Sequence, residues 1–291
     1  MLDTLIYSIY DCIKAINNLT HRLPKYCEYV PTDKAYYTNS LSIPIGEGAK
    51  GIVYLNINQS TPHTYLVGTT GSGKSTTLKV ILSTIINNYH SVKLILCDYK
   101  RAELLMFANC TNVLSFSYTE EDISNTIANV YQMVLDKYDK LMKQGKYQAS
   151  SYEETTLLVI EEIALMDKNT MKVLRKLMSI SRAVNTYCIF TCQRPSNEVL
   201  DNVVKSLVAN RIVLKVEDKK NSIIALDEVG AENLKGNGNG ILKNNGNKLE
   251  FQGYNIKYAT LNEIIKAYLK VKSKPSTENT KVNNTSWIDR L

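Results

Sequence analysis

The chain has 291 residues, of which 44% are hydrophobic and 22% are charged, and its formal net charge is +7. These values are typical of a soluble globular protein with a sizeable core. No apolar run approaches the roughly 18 to 20 residues of a membrane-spanning helix, so we expect no membrane span, and the positive charge is compatible with a polyanionic partner.

The first 41 residues are predicted to form a small helical or irregular segment. The stretch "MLDTLIYSIYDCIKAINNL" is amphipathic and lacks a basic region, so we expect a surface helix and not a signal peptide. The six cysteines are scattered without a CxxC pair, and Cys97, Cys188 and Cys192 lie inside apolar strand candidates. We therefore predict reduced core cysteines and a cytoplasmic protein.

From about Thr64 the chain alternates between strand and helix patterns. The strand candidates are "TYLVG", "VKLILCD", "TLLVIEE", "TYCIFTCQ" and "RIVLKVE". Between them lie stretches whose apolar residues recur at helical spacing: "KSTTLKVILSTIINNY", "EDISNTIANVYQMVLDKYDKLMK" and "NTMKVLRKLMSISRA". This alternation predicts an α/β fold with a mostly parallel central sheet flanked by helices.

The first strand candidate runs into "GTTGSGKS", Gly68 to Ser75, which fits the phosphate-binding pattern GxxxxGK[ST] between a strand and a helix. The glycines let backbone N–H groups point at phosphates, Lys74 reaches the β- and γ-phosphates, and the Ser75 hydroxyl is a magnesium ligand. We therefore predict binding of a nucleoside triphosphate with Mg²⁺. The residues predicted to contact the nucleotide are Gly68, Thr69, Thr70, Gly71, Ser72, Gly73, Lys74, Ser75 and Thr76.

Two adjacent carboxylates, Glu161 and Glu162, end the apolar strand candidate "LLVI". Burying a charge is costly unless it is paired or holds a metal, so we predict Glu161 as a magnesium ligand with Ser75, and Glu162 as the group that polarises the attacking water. Alternatively, Glu161 is salt-bridged and Glu162 is a solvated strand-end residue. Gln193, at the end of another strand candidate, is predicted to sense the γ-phosphate or to be a plain hydrogen-bonding residue.

Further motifs follow the phosphate-binding loop in order. They are "PHTYLVGTTGSGKS", "LILCDYKRAEL" with Asp98, Lys100 and Glu103, "DKYDKLM", "SISRAVNTYCIFTCQRPS", and "VANRIVLKVEDKKNSIIALDEVGAENLKGNGNGIL". From about Ser42 to Tyr254 this series resembles the motor domain of the FtsK/SpoIIIE-type DNA translocases of the FtsK–HerA group. The chain departs from that pattern by Tyr99 in place of proline, Glu161 in place of aspartate, Asn185 in place of glycine, and an extra Cys192 between Thr191 and Gln193.

The resemblance implies a RecA-like ATPase motor that works as a homo-oligomeric ring, with a hexamer expected, around double-stranded DNA that it contacts through phosphates. An arginine from the neighbouring subunit would complete each ATP site; Arg182 is the first candidate and Arg194 the second, and both could be ordinary surface residues. The loop with Lys143, Lys146 and Tyr147 is either a pore or interface loop or simply solvated.

The predicted organisation is a segment over residues 1–41, a motor domain over residues 42–258, and a short helix with a polar tail over residues 259–291. The flanks are short for the membrane domain and DNA-reading winged helix of chromosome-segregating family members. We therefore expect a role in a mobile element: plasmid or conjugative DNA transfer, or phage genome handling, with a relaxase, membrane or packaging partner.

Two other functions remain open from the sequence. One is a secretion-type ATPase that moves polypeptide, and the other is a nucleotide-binding assembly module with little hydrolysis. The end around Trp287 is either a docking peptide or disordered.

Overall fold

The computed structural model describes residues 23–31, 40–150 and 154–270. The predicted amino-terminal surface helix and the tail around Trp287 lie outside these residues. The described strands are β1 (Cys27–Glu28), β2 (Leu41–Gly48), β3 (Gly51–Ile57), β4 (Thr64–Val67), β5 (Lys93–Asp98), β6 (Val113–Ser117), β7 (Thr156–Glu161), β8 (Thr186–Cys192), β9 (Asn210–Leu214), β10 (Asn239–Asn244) and β11 (Asn247–Asn255). The described α-helices are α1 (Lys74–Asn88), α2 (Glu120–Lys143), α3 (Lys168–Ser181), α4 (Asn202–Leu207), α5 (Lys219–Leu226) and α6 (Tyr258–Ala267).

Six neighbouring strands form a parallel half of the sheet, in the order β9-β4-β8-β7-β5-β6. Because parallel neighbours run in the same direction, the carboxyl ends of these strands meet along one edge, called here the carboxyl edge. Open α/β sheets bind their ligands along this edge. The predicted α/β class, with a parallel central sheet flanked by helices, is confirmed.

The other half of the sheet is antiparallel and was not predicted from the sequence. Beyond β9 the order continues β10-β11-β2-β3, and each of these neighbours is antiparallel to the next. A two-residue turn, Asn245–Gly246, joins β10 to β11 with both residues at positive φ, 45° and 84°. Asn-Gly is the pair that such tight hairpins favour, so the sequence carried a local signal for this half.

Helices pack on both faces of the sheet, and the core lies between the layers. The α1 residues Leu78, Ile81 and Ile85 are buried on one face. Ile123 and Ile127 of α2 are buried on the other face, together with residues of α3. The helical periodicity therefore predicted the buried sides of α1 and α2 correctly. The described cysteines, Cys27, Cys97, Cys110, Cys188 and Cys192, are buried and free, as predicted for reduced core residues.

Segments from both ends of the described chain join the sheet and its helices. Strand β1 pairs in parallel with β11, with Cys27 opposite Tyr254, and α6 packs against α1. Residues before 41 thus extend the same sheet as the predicted motor domain, whose boundaries at 42 and 258 stay a prediction. Within the described ranges no helix has both the length and the apolar composition needed to cross a membrane.

Candidate active site

The phosphate-binding loop lies at the carboxyl edge, between the end of β4 at Val67 and the start of α1 at Lys74. Gly71 and Gly73 have φ values of 77° and 102°, which side-chain-bearing residues rarely adopt. A Cβ atom on Gly68 would lie 2.4 Å from Ser72 Oγ, and one on Gly73 would lie 2.6 Å from the backbone nitrogen of Gly238. Backbone conformation therefore requires Gly71, close packing requires Gly68, and both requirements apply to Gly73.

A second glycine-rich loop braces the phosphate-binding loop. The Gly238 N–H donates to the Ser72 carbonyl at 2.7 Å, and the Asn237 N–H donates to the Gly71 carbonyl at 3.3 Å. On the other side the Thr69 N–H donates to the Lys215 carbonyl at 2.9 Å. These bonds hold the phosphate-binding loop in an anion-binding curl without occupying the first N–H groups of α1.

Glu161 is the last residue of β7, and its side chain is almost fully buried. Its Oε1 pairs with Lys74 Nζ at 3.0 Å, which compensates for burial of the carboxylate. Its Oε2 is buried and accepts no hydrogen bond from any described residue. One oxygen of Glu161 therefore forms a salt bridge, as in the alternative interpretation, and the second oxygen remains available to another ligand.

The residues around this second oxygen suit a magnesium ion. A hard cation of this kind takes few protein ligands and completes its octahedron with phosphate oxygens and water, so a hydroxyl and one carboxylate suffice. Ser75 and Glu161 both line the same cavity and supply these two groups. Within the described residues no group of three or more His, Cys, Asp or Glu side chains could hold a metal by itself.

Glu162 follows directly and has an unusual backbone, with φ 60° and ψ 66°. It is buried, and both of its carboxylate oxygens are engaged: Oε1 accepts the Gln193 N–H at 3.0 Å and Oε2 pairs with Lys100 Nζ at 2.8 Å. Its own N–H donates to Thr191 Oγ1 at 3.0 Å. A non-glycine residue held in the left-handed conformation by three partners is typical of a functional site. The burial of Glu162 excludes the alternative that it is a solvated strand-end residue.

Lys100 and Glu103 are carried by a rigid loop after β5. The buried Asp98 carboxylate accepts backbone N–H groups from Lys100 at 3.0 Å, Glu103 at 3.0 Å and Leu104 at 2.9 Å. Burial opposes the charged ammonium, but the hydrogen bond and charge of Glu162 raise the pKa of Lys100 above its ordinary value. The cation beside Glu162 is therefore permanent near neutral pH.

Glu103 points toward the start of α1. Its carboxylate pairs with Lys79 Nζ at 2.8 Å. Burial favours the neutral acid, but hydrogen bonds from Lys79 and Ser75 lower the pKa of Glu103 below its ordinary value. Neither Lys100 nor Glu103 was predicted to act in the site. The sequence feature that could have identified both residues is the spacing Asp-x-Lys-x-x-Glu at the end of a buried strand.

The structure brings together most of the predicted site residues. Lys74, Ser75, Glu161 and Gln193 line one cavity of about 590 Å³, within the size range of small-molecule sites. The Gln193 side chain donates to Thr70 Oγ1 in the phosphate-binding loop. The roles predicted for these residues stay predictions.

The two candidate arginines lie apart from each other. Arg182 precedes β8 at the opposite edge of the sheet, and the seven residues of β8 put it about 20 Å from the carboxyl edge. There it lines a separate cavity with Arg211 and Lys243. Arg194 follows β8 at the carboxyl edge and forms an exposed ion pair with Glu217 at 2.7 Å. Arg182 therefore cannot reach the cavity of its own chain.

The loop predicted to contact DNA or a neighbour is exposed. Lys143 ends α2, Lys146 follows in the loop, and the Tyr147 side chain is 93% exposed. Neither lysine forms an ion pair with any described residue. The loop is accessible to a partner, and its role stays a prediction.

The FtsK/SpoIIIE family profile matches residues 26–239, which include β1, the phosphate-binding loop, both glutamates and the bracing glycine loop. The chain belongs to the FtsK/SpoIIIE family. The predicted resemblance is thereby confirmed for a motor domain.

Curated relatives of this FtsK/SpoIIIE family member are named DNA translocase FtsK. The protein from Chlamydia muridarum is 31% identical over 261 residues, which cover 79% of this chain and 33% of that protein. The protein from Tropheryma whipplei is 26% identical over 278 residues, covering 86% of this chain and 37% of that protein. The chain therefore spans about a third of the length of these relatives.

Solved structures show the same fold. The pCW3 conjugation coupling protein TcpA, in a monomer form with ATPγS, has a TM-score of 0.73 and 20% identity, over 85% of this chain and 75% of that one. The cytoplasmic domain of the type VII secretion ATPase EccC from Thermomonospora curvata has a TM-score of 0.70 and 18% identity, over 84% of this chain and 33% of that one. These similarities confirm the RecA-like P-loop NTPase fold.

Proposed function

We propose that the chain is an ATP-hydrolysing motor that moves double-stranded DNA and works as a homo-oligomeric ring, with six subunits expected. The observation that carries the proposal is the convergence of Lys74, at the start of α1, with Glu161 and Glu162, at the end of β7, beside the phosphate-binding loop. Family membership supports DNA as the moved polymer, because the curated relatives are named DNA translocases.

The chemistry assigned to this site is the in-line attack of water on the γ-phosphorus of ATP. Backbone N–H groups of the phosphate-binding loop and Lys74 hold the triphosphate. Glu162 accepts the proton of the attacking water, the bond between the γ-phosphorus and the β–γ bridging oxygen breaks, and ADP and inorganic phosphate leave. Ser75 and Glu161 would hold a magnesium ion, which would supply neutralisation of the negative charge on the triphosphate.

Gln193 and Lys100 position the reacting groups in this proposal. Gln193 joins the two halves of the site, since its backbone N–H holds Glu162 and its side chain contacts Thr70. A γ-phosphate beside Thr70 would contact the Gln193 side chain. The resulting movement of Gln193 would change the position of Glu162, which the Gln193 backbone N–H holds. Arg182 of the neighbouring subunit would stabilise the charge of the transition state, as an arginine supplied in trans does in P-loop GTPases.

In this proposal, exposed lysine side chains contact the phosphates of the DNA. The net charge of +7 and the exposed loop with Lys143, Lys146 and Tyr147 support it. Such binding is independent of base sequence and weakens steeply with salt. For the biological role we propose plasmid or conjugative transfer or phage genome handling, which the fold similarity to a conjugation coupling protein favours.

The test is ATP hydrolysis by the full chain, followed as phosphate release with and without linear double-stranded DNA. The motor requires several-fold faster release with DNA, and Lys74→Ala should abolish binding and hydrolysis, while Lys172→Ala, an exposed lysine of α3, should change neither. Release that ignores DNA or rises with an unfolded polypeptide would favour the secretion-type alternative suggested by the similarity to EccC. No release at all would favour the assembly module.

A further inference from the structure

The cavity that holds the phosphate-binding loop continues past it to a wall of different chemistry. This wall consists of Tyr26, Tyr254 and Asn255, here called the tyrosine wall. In strand order β11 lies on one side of β4 and the strand with Glu161, β7, lies on the other. The tyrosine wall and the acidic pair therefore flank the phosphate-binding loop from opposite sides.

The tyrosine wall is built by a long-range strand pairing. Parallel pairing places Cys27 opposite Tyr254, and the Tyr29 N–H donates to the Asn255 carbonyl at 2.9 Å. This pairing sets Tyr26 at the mouth of the cavity, where its side chain is 56% exposed and its Oη accepts the Asn255 Nδ2–H at 3.1 Å.

The wall is also tied to the helix that follows the phosphate-binding loop. The Tyr254 ring makes an edge contact with the Tyr29 ring, with centroids 6.4 Å apart. The Tyr29 hydroxyl in turn lies 2.9 Å from Thr84 Oγ1 in α1. The rings are thus held in place before any ligand arrives, which reduces the ordering cost of binding.

We propose that the tyrosine wall is the nucleobase subsite and takes the adenine ring of ATP, with Tyr26 stacked on the base and the Asn255 amide reading its edge. The phosphate-binding loop recognises only phosphates, so the base must lie in the remaining part of the cavity. Among the described residues that line the cavity, Tyr26 and Tyr254 are the aromatic ones. An amide offers both a donor and an acceptor, which the edge of adenine complements.

This inference rests on the proposed ATP use, and it is tested by comparing two ligands that differ in the base. Equilibrium affinities for ATPγS and for inorganic triphosphate are measured on the full chain and on Tyr26→Ala, Tyr26→Phe and Asn255→Ala. Tyr258→Ala is the matched control, because Tyr258 is an exposed tyrosine outside the cavity lining.

We expect Tyr26→Ala to weaken ATPγS about tenfold, as loss of a base-stacking ring does, and to leave triphosphate affinity unchanged. Tyr26→Phe should keep most of the affinity for ATPγS, and Asn255→Ala should lower the affinity for ATPγS but not that for triphosphate. Unchanged ATPγS affinity in Tyr26→Ala, or equal losses for both ligands, would overturn the subsite. If the unaltered chain bound neither ligand, the proposed function would fall as well, so the two failures are distinguishable.

Discussion

At the scale of single residues, the two adjacent glutamates have separate environments. Glu161 faces Lys74 and keeps one oxygen without a partner among the described residues, whereas both oxygens of Glu162 are engaged by Gln193 and Lys100. The strand pattern alone predicted that two buried acids at a strand end must be compensated. It did not reveal Lys100 as the compensating cation of Glu162, because their contact joins residues 62 positions apart.

Glu162→Gln should abolish turnover and keep nucleotide binding. The amide retains an oxygen for the Gln193 N–H and nearly the same shape, but it cannot accept a proton from water, so kcat should fall about 10²- to 10³-fold. Steady-state phosphate release and ATPγS binding measure the two effects separately. Normal turnover in this variant would show that another residue activates the water.

Lys100→Met should lower kcat while the KM for ATP stays near its original value. Methionine has a side chain of similar length but leaves the buried Glu162 carboxylate without its ion-pair partner. The charged, correctly oriented carboxylate is then disfavoured, so we expect kcat to fall about tenfold. Lys100→Arg should restore most of the rate by supplying the cation again. Faster hydrolysis by Lys100→Met would mean instead that Lys100 restrains Glu162.

At the scale of elements, the long helices and five of the six parallel strands were predictable, whereas β6 and the long-range additions to the sheet were not. The α1 and α2 periodicities follow from local sequence, whereas pairing of residue 27 with residue 254 depends on the folded sheet. One departure from the family pattern has a local explanation. Asn185 has φ 50°, a conformation that glycine and asparagine tolerate best, so asparagine can replace the usual glycine there.

The buried His63 links β4 to its neighbours and should make stability depend on pH. Its Nδ1 accepts the Cys188 N–H at 3.0 Å, and its Nε2 therefore carries the proton donated to the Met178 carbonyl at 2.9 Å. Burial lowers the pKa of His63 to about 4; the Met178 contact partly opposes this, and the nearby Arg182 adds to it.

The sign follows from proton uptake by the unfolded chain. Between pH 6.5 and 4 the unfolded state binds a proton at His63 that the folded state excludes, so the free energy of unfolding should fall by about 2 kcal/mol from pH 7 to pH 5 through this residue. Urea titrations at both pH values measure it. A His63→Gln variant should lose this part of the drop and the exposed His90→Gln should not; equal drops in all three proteins would refute the assignment.

At the scale of the whole molecule, the position of Arg182 provides a chemical reason for the proposed ring. Arg182 lies about 20 Å from the carboxyl edge of its own sheet. The Arg182 side chain is exposed and forms no ion pair with the described residues, so it is accessible to the ATP site of a neighbouring subunit.

Mixing two inactive variants tests this trans arrangement. Arg182→Ala should bind ATP but hydrolyse it slowly. Lys74→Ala should neither bind nor hydrolyse ATP. In a random one-to-one ring, about a quarter of the interfaces would pair an intact phosphate-binding loop with an intact Arg182, so roughly that share of activity should return. Arg194→Ala, which breaks only an exposed pair with Glu217 in its own chain, should stay active alone. A mixture that remains inactive would contradict the trans role.

In the proposed function, ATP hydrolysis moves this protein along double-stranded DNA. The most direct measurement is displacement of a triplex-forming oligonucleotide from linear duplex DNA by the purified full chain. DNA translocation predicts displacement that requires hydrolysable ATP, that is lost in Lys74→Ala and Glu162→Gln, and that declines with added salt. DNA-stimulated hydrolysis without displacement, or displacement that persists with ATPγS, would contradict it.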